Sequence, residues 1–208
     1  PAAIADARQL RPETLRLAPA DASFRRYLRI DTRTEGLSRI IMDAPPDKEN
    51  SHPFVQVAGL MREAGVRAPQ VLECQEAEGF LLLDDLGVRT MLDGIQPEHP
   101  DANLPRYQQA IDALVRWQLA SRPGVLPPYD AALLQRELQL FPDWYLGKHR
   151  GVQLDEKQRA VIDQAFACIV ENNLSSASVF VHRDFMPRNL MLTDEATLGV
   201  LDFQDAVY

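Results

Sequence analysis

The sequence predicts an α+β protein in two parts, with strands concentrated in residues 1–85 and helices in residues 86–208. Three observations support this prediction. The first part contains short apolar runs separated by polar or proline-containing stretches, whereas the second contains long stretches with apolar residues at helical spacing. Near the end of the chain, residues 190–192 and 198–201 are short apolar runs around a polar segment, which is the pattern of a β-hairpin.

The first part is predicted to form a β-hairpin followed by a helix. Residues 24–30 have apolar side chains at 24, 28 and 30 and alternate in their second half, and residues 39–42 are nearly continuously apolar. The polar loop between these two strands contains Gly36. Two consecutive prolines end the second strand, because proline cannot donate a hydrogen bond to a neighbouring strand. Ser51 is placed to cap the following helix, which Gly65 is expected to end. The apolar face of this helix comprises Phe54, Val57, Ala58 and Met61.

Three helices are predicted in the second part. Residues 106–120 and 130–140 form two of them, with a proline-containing stretch at 123–128 in between. The third begins at Asp155, which has capping-box spacing with Gln158. The faces expected to be buried are Tyr107, Ile111, Leu114, Val115 and Leu119 on the first helix, and Val161, Ile162, Ala165, Phe166, Ile169 and Val170 on the third.

The composition is that of an ordinary globular protein, with 46% hydrophobic and 25% charged residues in a chain of 208. The net charge of -8 argues against a broad surface for nucleic acid or an anionic membrane, because such partners need dense basic patches. No apolar run approaches the ~18 residues that span a bilayer, and no N-terminal leader is expected. Cys74 and Cys168 lack paired-thiol spacing, so we expect a reducing cytoplasm and packing roles for both. A monomer is compatible with this composition.

Residues 181–205 read VHRDFMPRNLMLTDEATLGVLDFQD and contain the side chains best suited to chemistry. If the turn of the predicted hairpin centres between residues 195 and 196, Asn189 and Asp202 lie side by side at its open end. A carbonyl oxygen and a carboxylate placed together suit Mg²⁺, which leaves its other positions to water and nucleotide phosphates. Asp184, on the loop before the hairpin, can reach the same space and either accept a proton from an attacking hydroxyl or orient that hydroxyl.

The order of these side chains resembles the active site of protein kinases. Residues 182–184 with Asn189 resemble the kinase catalytic loop, and residues 202–203 resemble the start of the metal motif, with Gln204 in place of the kinase glycine. The resemblance implies that ATP and Mg²⁺ are the cofactors. The structural alternative is a solvated turn at residues 182–184 and a strand-end cap at Asp202.

The nucleotide is expected to lie against the first part of the chain. Small residues and the Ser23 hydroxyl at the entry to the first strand allow a phosphate to approach closely, although there is no Gly-rich motif. Arg25 and Arg26 could supply positive charge, but a solvated strand face explains at least one of them equally well. The strand lysine of kinases is missing, and Lys48 is the nearest amine, with an exposed loop lysine as the alternative.

Two more strands are predicted, at residues 71–73 and 79–83, and the second runs directly into a polar segment. This junction fits an interlobe hinge whose backbone groups hold adenine, with a simple turn as the alternative. The nucleotide-binding residues predicted from these features are Ser23, Phe24, Arg25, Arg26, Lys48, Asp84, Asp85 and Leu86.

The order of strands, hinge, helices and hairpin is similar to that of the aminoglycoside phosphotransferase-like small-molecule kinases, which have a bilobal protein-kinase-like fold. The resemblance implies a small β-rich N-lobe over residues 1–85 and a mainly helical C-lobe over residues 86–208, with further helices beyond residue 208. Five segments resemble a narrower family, the bacterial cell-wall amino sugar kinases. They are residues 21–27, 42–46, 80–87, 136–145 and 181–205.

The narrower resemblance implies ATP-dependent phosphorylation of the anomeric hydroxyl of N-acetylmuramate and N-acetylglucosamine, in peptidoglycan recycling. It implies that Asp184 is the catalytic base and that Asn189 and Asp202 are the metal ligands. Glu137 could accept hydrogen bonds from sugar hydroxyls and Trp144 could stack on a sugar ring, although both side chains can equally be structural. The implied acceptor side comprises Arg136, Glu137, Trp144 and Asp205.

Two functional alternatives remain at this point. The acceptor could be another molecule, such as an aminoglycoside or a protein hydroxyl. The chain could instead be a nucleotide-binding module without catalysis, which the missing strand lysine favours.

Overall fold

The computed structural model describes residues 9–18, 24–193 and 197–208, and the chain divides into two compact units. The first unit comprises Pro1–Ala120 and His182–Ala206, and the second comprises Ser121–Val181 and Val207–Tyr208. The lobe boundary at residue 85 stays a prediction. Within the described residues, no helix combines the length and the apolar character that crossing a membrane requires.

An antiparallel sheet of five strands lies in the first unit, formed by β1 (Arg16–Leu17), β2 (Arg26–Asp31), β3 (Ser38–Asp43), β4 (Val71–Gln75) and β5 (Phe80–Asp84). Their order in the sheet is β1-β2-β3-β5-β4. The four strands predicted in this part of the chain are confirmed, and β1 was not predicted. The hairpin of β2 and β3 turns at Gly36, whose φ of 73° is a backbone conformation that glycine adopts without strain.

The helix α1 (His52–Glu63) has the predicted apolar face. Phe54, Val57 and Met61 are buried at helical spacing, and burial of side chains of this size stabilises the fold by about 1.5–3 kcal/mol each. The predicted Ser51 cap is wrong, because this residue has helical dihedrals and its side chain makes no capping hydrogen bond. Gly65 ends the helix with a φ of 70°, as expected.

The buried face of α2 (Leu104–Leu119) is not the predicted one. Ala110, Ala113 and Trp117 are buried, and the two alanines next to Trp117 allow close packing on that side. The helix has apolar residues on both sides, so periodicity alone does not decide which side is buried. Of the predicted stripe, Leu114 is half-buried, and the exposed members are Tyr107, Ile111, Val115 and Leu119.

The predicted C-terminal hairpin is present as β6 (Leu190–Leu192) and β7 (Leu198–Val200). Its register differs by one residue from the predicted one, since Leu190 pairs with Val200. The predicted turn centre, between residues 195 and 196, lies outside the described residues. The hairpin is held on both sides, because Met191 forms a bridge with Thr90 and Gly199 forms one with Arg67.

The second unit contains α3 (Ala131–Leu140), the π-helix Phe141–His149 and α4 (Glu156–Leu174). The predicted capping box of Asp155 and Gln158 is confirmed. The predicted buried face of α4 is only partly correct, because Val170 is buried while Val161 and Ile169 are exposed. Ile162 and Phe166 are half-buried and Ala165 is exposed. The predicted packing role of both cysteines is wrong, since Cys74 in the first unit and Cys168 in the second are exposed.

Candidate active site

Of the three residues predicted to carry the chemistry, two make a side-chain contact at the open end of the C-terminal hairpin, and the third joins them through its backbone. The Nδ2 atom of Asn189 donates to Oδ2 of Asp202 at 3.1 Å and to the backbone oxygen of Asp184 at 2.9 Å. Asn189 is 5% exposed, so these two hydrogen bonds fix a buried amide. The juxtaposition of Asn189 and Asp202 expected from the hairpin is therefore present.

The backbone reaches this arrangement differently from the prediction. Leu201, and not Asp202, is opposite Asn189, because the Leu201 amide donates to the Asn189 carbonyl at 2.8 Å. In a regular strand, the next side chain would point to the other face of the hairpin. Asp202 instead has a φ of 60°, which takes it out of the strand conformation. This left-handed residue allows its carboxylate to reach Asn189.

The carboxylate of Asp202 is held from both sides. Gln204 donates from Nε2 to its Oδ1 at 2.9 Å, while Asn189 binds its Oδ2. Gln204 occupies the position at which protein kinases have glycine, so the departure from that pattern supplies a donor to the metal motif. The sequence identified this departure but did not indicate its role.

A buried histidine supports the backbone next to Asp202. His182 is 1% exposed, and its Nε2 lies 3.0 Å from the Leu201 carbonyl. Burial lowers the pKa of His182, against the opposing effects of the Leu201 carbonyl and the Asp202 and Asp184 carboxylates. We therefore assign a neutral imidazole that donates from Nε2 to Leu201.

The backbone is strained at two residues of this site. Arg183 has a φ of 75° and Asp202 a φ of 60°, and non-glycine residues in this region cost about 1–3 kcal/mol each. Such residues persist where the surrounding structure determines their conformation. The buried His182 and Asn189 side chains provide that surrounding structure.

The donor set fits a magnesium ion that arrives with a nucleotide. Among the described residues, no group of three or more His, Cys, Asp and Glu side chains could hold a metal ion. Mg²⁺ needs fewer protein ligands when phosphates complete its shell, and one or two protein oxygens are usual. Asn189 uses its nitrogen for two hydrogen bonds, which leaves its Oδ1 as the atom that can bind a cation beside Asp202.

A cavity of about 380 Å³ in the first unit lies next to this site. Its volume is in the range of small-molecule sites. One part of the wall comes from the C-terminal hairpin and its loop, through Arg188, Asn189, Asp202 and Gln204. Another part comes from the segment at the end of β5, residues 84–87. The predicted hinge segment and the predicted metal ligands thus border one cavity.

Asp85 shapes the hinge segment through its carboxylate. Arg29 donates to Asp85 from Nε at 2.5 Å and from Nη2 at 3.0 Å, and Ser38 donates at 2.6 Å. The Gly87 amide donates to the same carboxylate at 2.9 Å, while its carbonyl accepts from Arg29 at 2.8 Å. Burial alone would raise the pKa of Asp85, but the hydrogen bonds from Arg29, Ser38 and Gly87 hold it below its usual value. The carboxylate is therefore occupied within the protein.

Asp84 connects the hinge to the C-terminal hairpin. Its Oδ1 accepts from the Gln70 amide at 2.5 Å, and its Oδ2 lies 3.6 Å from Nη2 of Arg67. The carbonyl of Arg67 in turn accepts from the Val200 amide at 2.7 Å. Burial raises the pKa of Asp84, although the hydrogen bond from the Gln70 amide and the charge of Arg67 both act to lower it.

Leu86 also bridges the hinge and the hairpin. It is 7% exposed and lines the cavity. A Cβ atom on Gly199 would lie 2.8 Å from Cδ1 of Leu86, so the absence of a side chain at Gly199 permits this contact.

The predicted nucleotide-binding cations occupy three different environments. Arg25 lines the cavity, and its Nη2 lies 3.2 Å from Oε2 of Glu49. Arg26 is paired with Asp43, and its side chain is 71% exposed. Lys48 is also exposed, with Nζ 5.4 Å from the centre of the Phe24 ring. The solvated-face alternative fits Arg26, and of these three cations Arg25 is the one that lines the cavity.

The remaining predicted residues have separate settings. Phe24 is 64% exposed and, like Arg26 and Lys48, does not line the described cavity. Ser23 lies outside the described residues. Asp205 is exposed, and its Oδ2 lies 3.4 Å from Nε2 of Gln204.

The predicted acceptor residues of the second unit stay predictions. Glu137 accepts a hydrogen bond from the Tyr129 hydroxyl at 2.5 Å. Trp144 is 64% exposed in the π-helix, and Arg136 is exposed on α3. Sequence reasoning missed two arginines of the first-unit cavity, Arg29 and Arg188. Arg188 immediately precedes the predicted metal ligand Asn189, and that position was a signal that could have identified it.

Comparison with known proteins finds a matching family model and relatives that share one name. The family model described as "Phosphotransferase enzyme family" matches residues 14–208. The chain is similar to N-acetylmuramate/N-acetylglucosamine kinase of Pseudomonas aeruginosa, with 49% identity over 95% of this chain and 56% of the relative. It is also similar to the protein of the same name from Neisseria meningitidis, with 45% identity over 93% of this chain and 57% of the relative. The chain thus spans little more than half the length of these relatives.

Solved structures share the fold at low sequence identity. The streptomycin-ATP-APH(2")-IIa ternary complex has a TM-score of 0.60 and 14% identity, covering 99% of this chain and 70% of that chain. Choline kinase LicA from Streptococcus pneumoniae has a TM-score of 0.61 and 8% identity, covering 99% of this chain and 67% of that chain. These likenesses confirm the predicted α+β, kinase-like fold class.

Proposed function

The chain belongs to the phosphotransferase enzyme family, and we propose that the protein transfers the γ-phosphoryl group of ATP to a hydroxyl of an amino sugar. The proposed acceptor is the anomeric hydroxyl of N-acetylmuramate and N-acetylglucosamine, in peptidoglycan recycling. The observation that supports the reaction best is that Asn189 contacts both the Asp202 carboxylate and the Asp184 backbone carbonyl, beside a cavity of about 380 Å³. The names of the relatives at 45–49% identity support the choice of acceptor.

In the proposed reaction, Asp184 is the general base. Its carboxylate forms no hydrogen bond with the residues that the structure describes, so it is available to a ligand. It takes the proton of the acceptor hydroxyl while the hydroxyl oxygen forms a bond to the γ-phosphorus. The bond between that phosphorus and the β,γ-bridging oxygen breaks, and ADP leaves with the electron pair.

The metal and the phosphates are assigned to neighbouring groups of the same unit. Asn189 Oδ1 and the Asp202 carboxylate would hold Mg²⁺, which supplies neutralisation of phosphate charge when it is bound. Gln204 and His182 keep the metal ligands in place, through Asp202 Oδ1 and the Leu201 carbonyl. Arg25, held by Glu49, replaces the missing strand lysine beside the phosphates.

The base of the nucleotide is assigned to the hinge. Residues 84–87 line the cavity at the end of a buried strand, and their backbone groups are the proposed partners of adenine. The Asp85 and Asp84 carboxylates act by fixing this segment, since both are hydrogen-bonded within the protein. Lys48, Phe24, Arg26 and Ser23 are secondary candidates for the outer phosphates.

The acceptor side and the setting of the reaction complete the proposal. Glu137 and Trp144, with Arg136, are proposed to bind the sugar, and Asp205 contacts either the sugar or the groups around the metal. The proposed partner is a small amino sugar and neither nucleic acid nor a membrane, in keeping with the net charge of -8. A cytoplasmic, monomeric protein is part of the same proposal.

Measurement of ADP release by the complete protein tests the acceptor. We expect Mg²⁺-dependent ADP release with N-acetylglucosamine and N-acetylmuramate, and little with a cationic aminoglycoside. Release with the aminoglycoside alone would contradict the sugar assignment. Binding of Mg-ATP without ADP release from any of the three would instead indicate a non-catalytic nucleotide-binding module.

Calorimetry with Asp202→Ala tests the metal assignment. We expect the affinity for Mg-ATP to fall by about tenfold or more, because a charge-assisted metal contact is lost. Asp112→Ala, which removes an exposed carboxylate on α2, is the matched control and should leave the affinity unchanged. Equal affinities of the two variants would contradict the assignment.

A further inference from the structure

Three arginines line the cavity, and they differ in how they are paired. Nη2 of Arg25 lies 3.2 Å from Glu49, and Arg29 binds Asp85 through two nitrogens. The guanidinium of Arg188 forms neither an ion pair nor a hydrogen bond with residues 9–18, 24–193 or 197–208. Unlike Arg25 and Arg29, Arg188 therefore has no carboxylate among the described residues that neutralises its charge.

The position of Arg188 is fixed by its neighbours. It lies in the short 3₁₀ turn Pro187–Asn189, which leads directly into β6. The next residue, Asn189, is buried and held by the Asp184 carbonyl and the Asp202 carboxylate. The backbone of Arg188 is thus anchored at the metal ligands, while its side chain is exposed at the cavity wall.

An unpaired arginine beside a metal-phosphate site has a specific use. Its planar guanidinium can donate two parallel hydrogen bonds to a phosphate, and these charge-assisted bonds are stronger than neutral ones. Arg25 and Arg29 each have their charge balanced by a neighbouring carboxylate, whereas no described residue accepts from the guanidinium of Arg188. A cation that the fold already holds where negative charge develops on the phosphoryl group also needs no rearrangement during the reaction.

We propose that Arg188 is a further catalytic residue, which binds the phosphoryl group in transit and stabilises its charge in the transition state. The inference rests on the proposed function and makes it more specific. Arg188 lies on the side of the cavity formed by Asn189, Asp202 and Gln204, and the terminal phosphate of a bound nucleotide must reach this side to share their cation. The competing ligand is the carboxylate of N-acetylmuramate, a group that N-acetylglucosamine lacks.

The test uses Arg188→Met and Arg188→Lys in the complete protein, with Arg62→Met as the matched control. Arg62 is an exposed arginine in the last turn of α1 and does not line the cavity. We expect Arg188→Met to lower kcat by about 10²-fold with either sugar, because one transition-state donor is lost. Arg188→Lys keeps the charge but not the paired donors, so it should recover kcat only in part. Arg62→Met should behave as the unaltered protein.

Two outcomes of the kinetic measurement would overturn the inference. One is an unchanged kcat in Arg188→Met. The other is an effect confined to the KM for N-acetylmuramate, which would assign Arg188 to the acceptor carboxylate. Thermal unfolding of each variant checks that a loss of kcat does not reflect a loss of fold.

A second measurement does not depend on any acceptor. Calorimetry should show that Arg188→Met binds ATP about tenfold more weakly but retains its affinity for ADP, since only ATP has the terminal phosphate. An unchanged ratio of the two affinities would overturn the inference even if no acceptor supports turnover. The two proposals can therefore fail separately. If the unaltered protein shows no turnover but Arg188→Met changes the ratio of the ATP and ADP affinities, the proposed function is contradicted, while the binding of phosphate by Arg188 is supported.

Discussion

Replacement of Asp85 by asparagine should destabilise the first unit, because Arg29 would lose its counter-charge. The Arg29 and Asp85 side chains are only 12% and 6% exposed. The carboxylate accepts from Arg29 twice and from Ser38 and Gly87 once each. Asparagine has the same shape but a single accepting oxygen, and its amide nitrogen would face donors.

The magnitude follows from the burial of this pair. Removal of one partner from a buried ion pair costs about 3–5 kcal/mol. Arg29 keeps its hydrogen bond to the Gly87 carbonyl and lies at the edge of a cavity, so the lower limit applies. We expect a loss of about 3 kcal/mol in the free energy of unfolding, which raises the unfolded fraction by about a hundredfold.

An exposed pair in the same unit supplies the control. Arg16 and Asp31 are 2.8 Å apart, with side chains 48% and 38% exposed. Exposed pairs contribute about 0–1 kcal/mol, so Asp31→Asn should have a small effect.

Urea unfolding can be followed through the fluorescence of Trp117, which is buried in the first unit. If Asp85→Asn costs no more than Asp31→Asn, the reasoning about the buried pair is refuted. The double variant Arg29→Met with Asp85→Leu should recover part of the loss, since neither charge then remains buried.

The same pair predicts a dependence of stability on pH. The pKa of Asp85 is lowered in the folded protein, so its contribution is fully present above the unfolded value of about 3.9. It is lost as the pH falls through the folded pKa. Asp85→Asn should therefore reduce the acid-side dependence of the unfolding free energy, and an unchanged acid limb would contradict the assignment.

Two further substitutions test the walls of the cavity. Gly199→Ala places a methyl group 2.8 Å from Leu86, so ATP should bind about tenfold more weakly in calorimetry, whereas Gly59→Ala, which meets nothing within 4 Å, should not change binding. Arg25→Met should weaken Mg-ATP binding by about tenfold, because a cavity cation is lost, while Arg62→Met, at an exposed position away from the cavity, should change it less than about twofold. Equal affinities within either pair would contradict the placement of these side chains.

Local patterns in the sequence were sufficient to predict the strands β2 to β5, α1 and the C-terminal hairpin. The contact between Asn189 and Asp202 was predicted correctly from a register that was wrong by one residue. The φ of 60° at Asp202 compensates for that difference, and no sequence pattern distinguishes an aspartate that adopts this conformation from one that continues a strand.

Contacts between distant segments could not be predicted in the same way. Arg29 and Asp85 are 56 positions apart, and they meet because β2 and β5 both pair with β3. That pairing order is a property of the whole sheet. The buried face of α2 was wrong for a related reason, since both of its faces contain apolar residues and its neighbours decide between them.

In the proposed reaction, Asp184 removes the proton from an acceptor whose incoming phosphate is held beside Asn189 and Asp202. The decisive measurement is the turnover of Asp184→Asn, followed by ADP release from the complete protein with Mg-ATP and N-acetylglucosamine. We predict that kcat falls by about 10²–10⁴-fold while the Kd for Mg-ATP stays within about twofold. A kcat equal to that of the unaltered protein would show that Asp184 is not the general base.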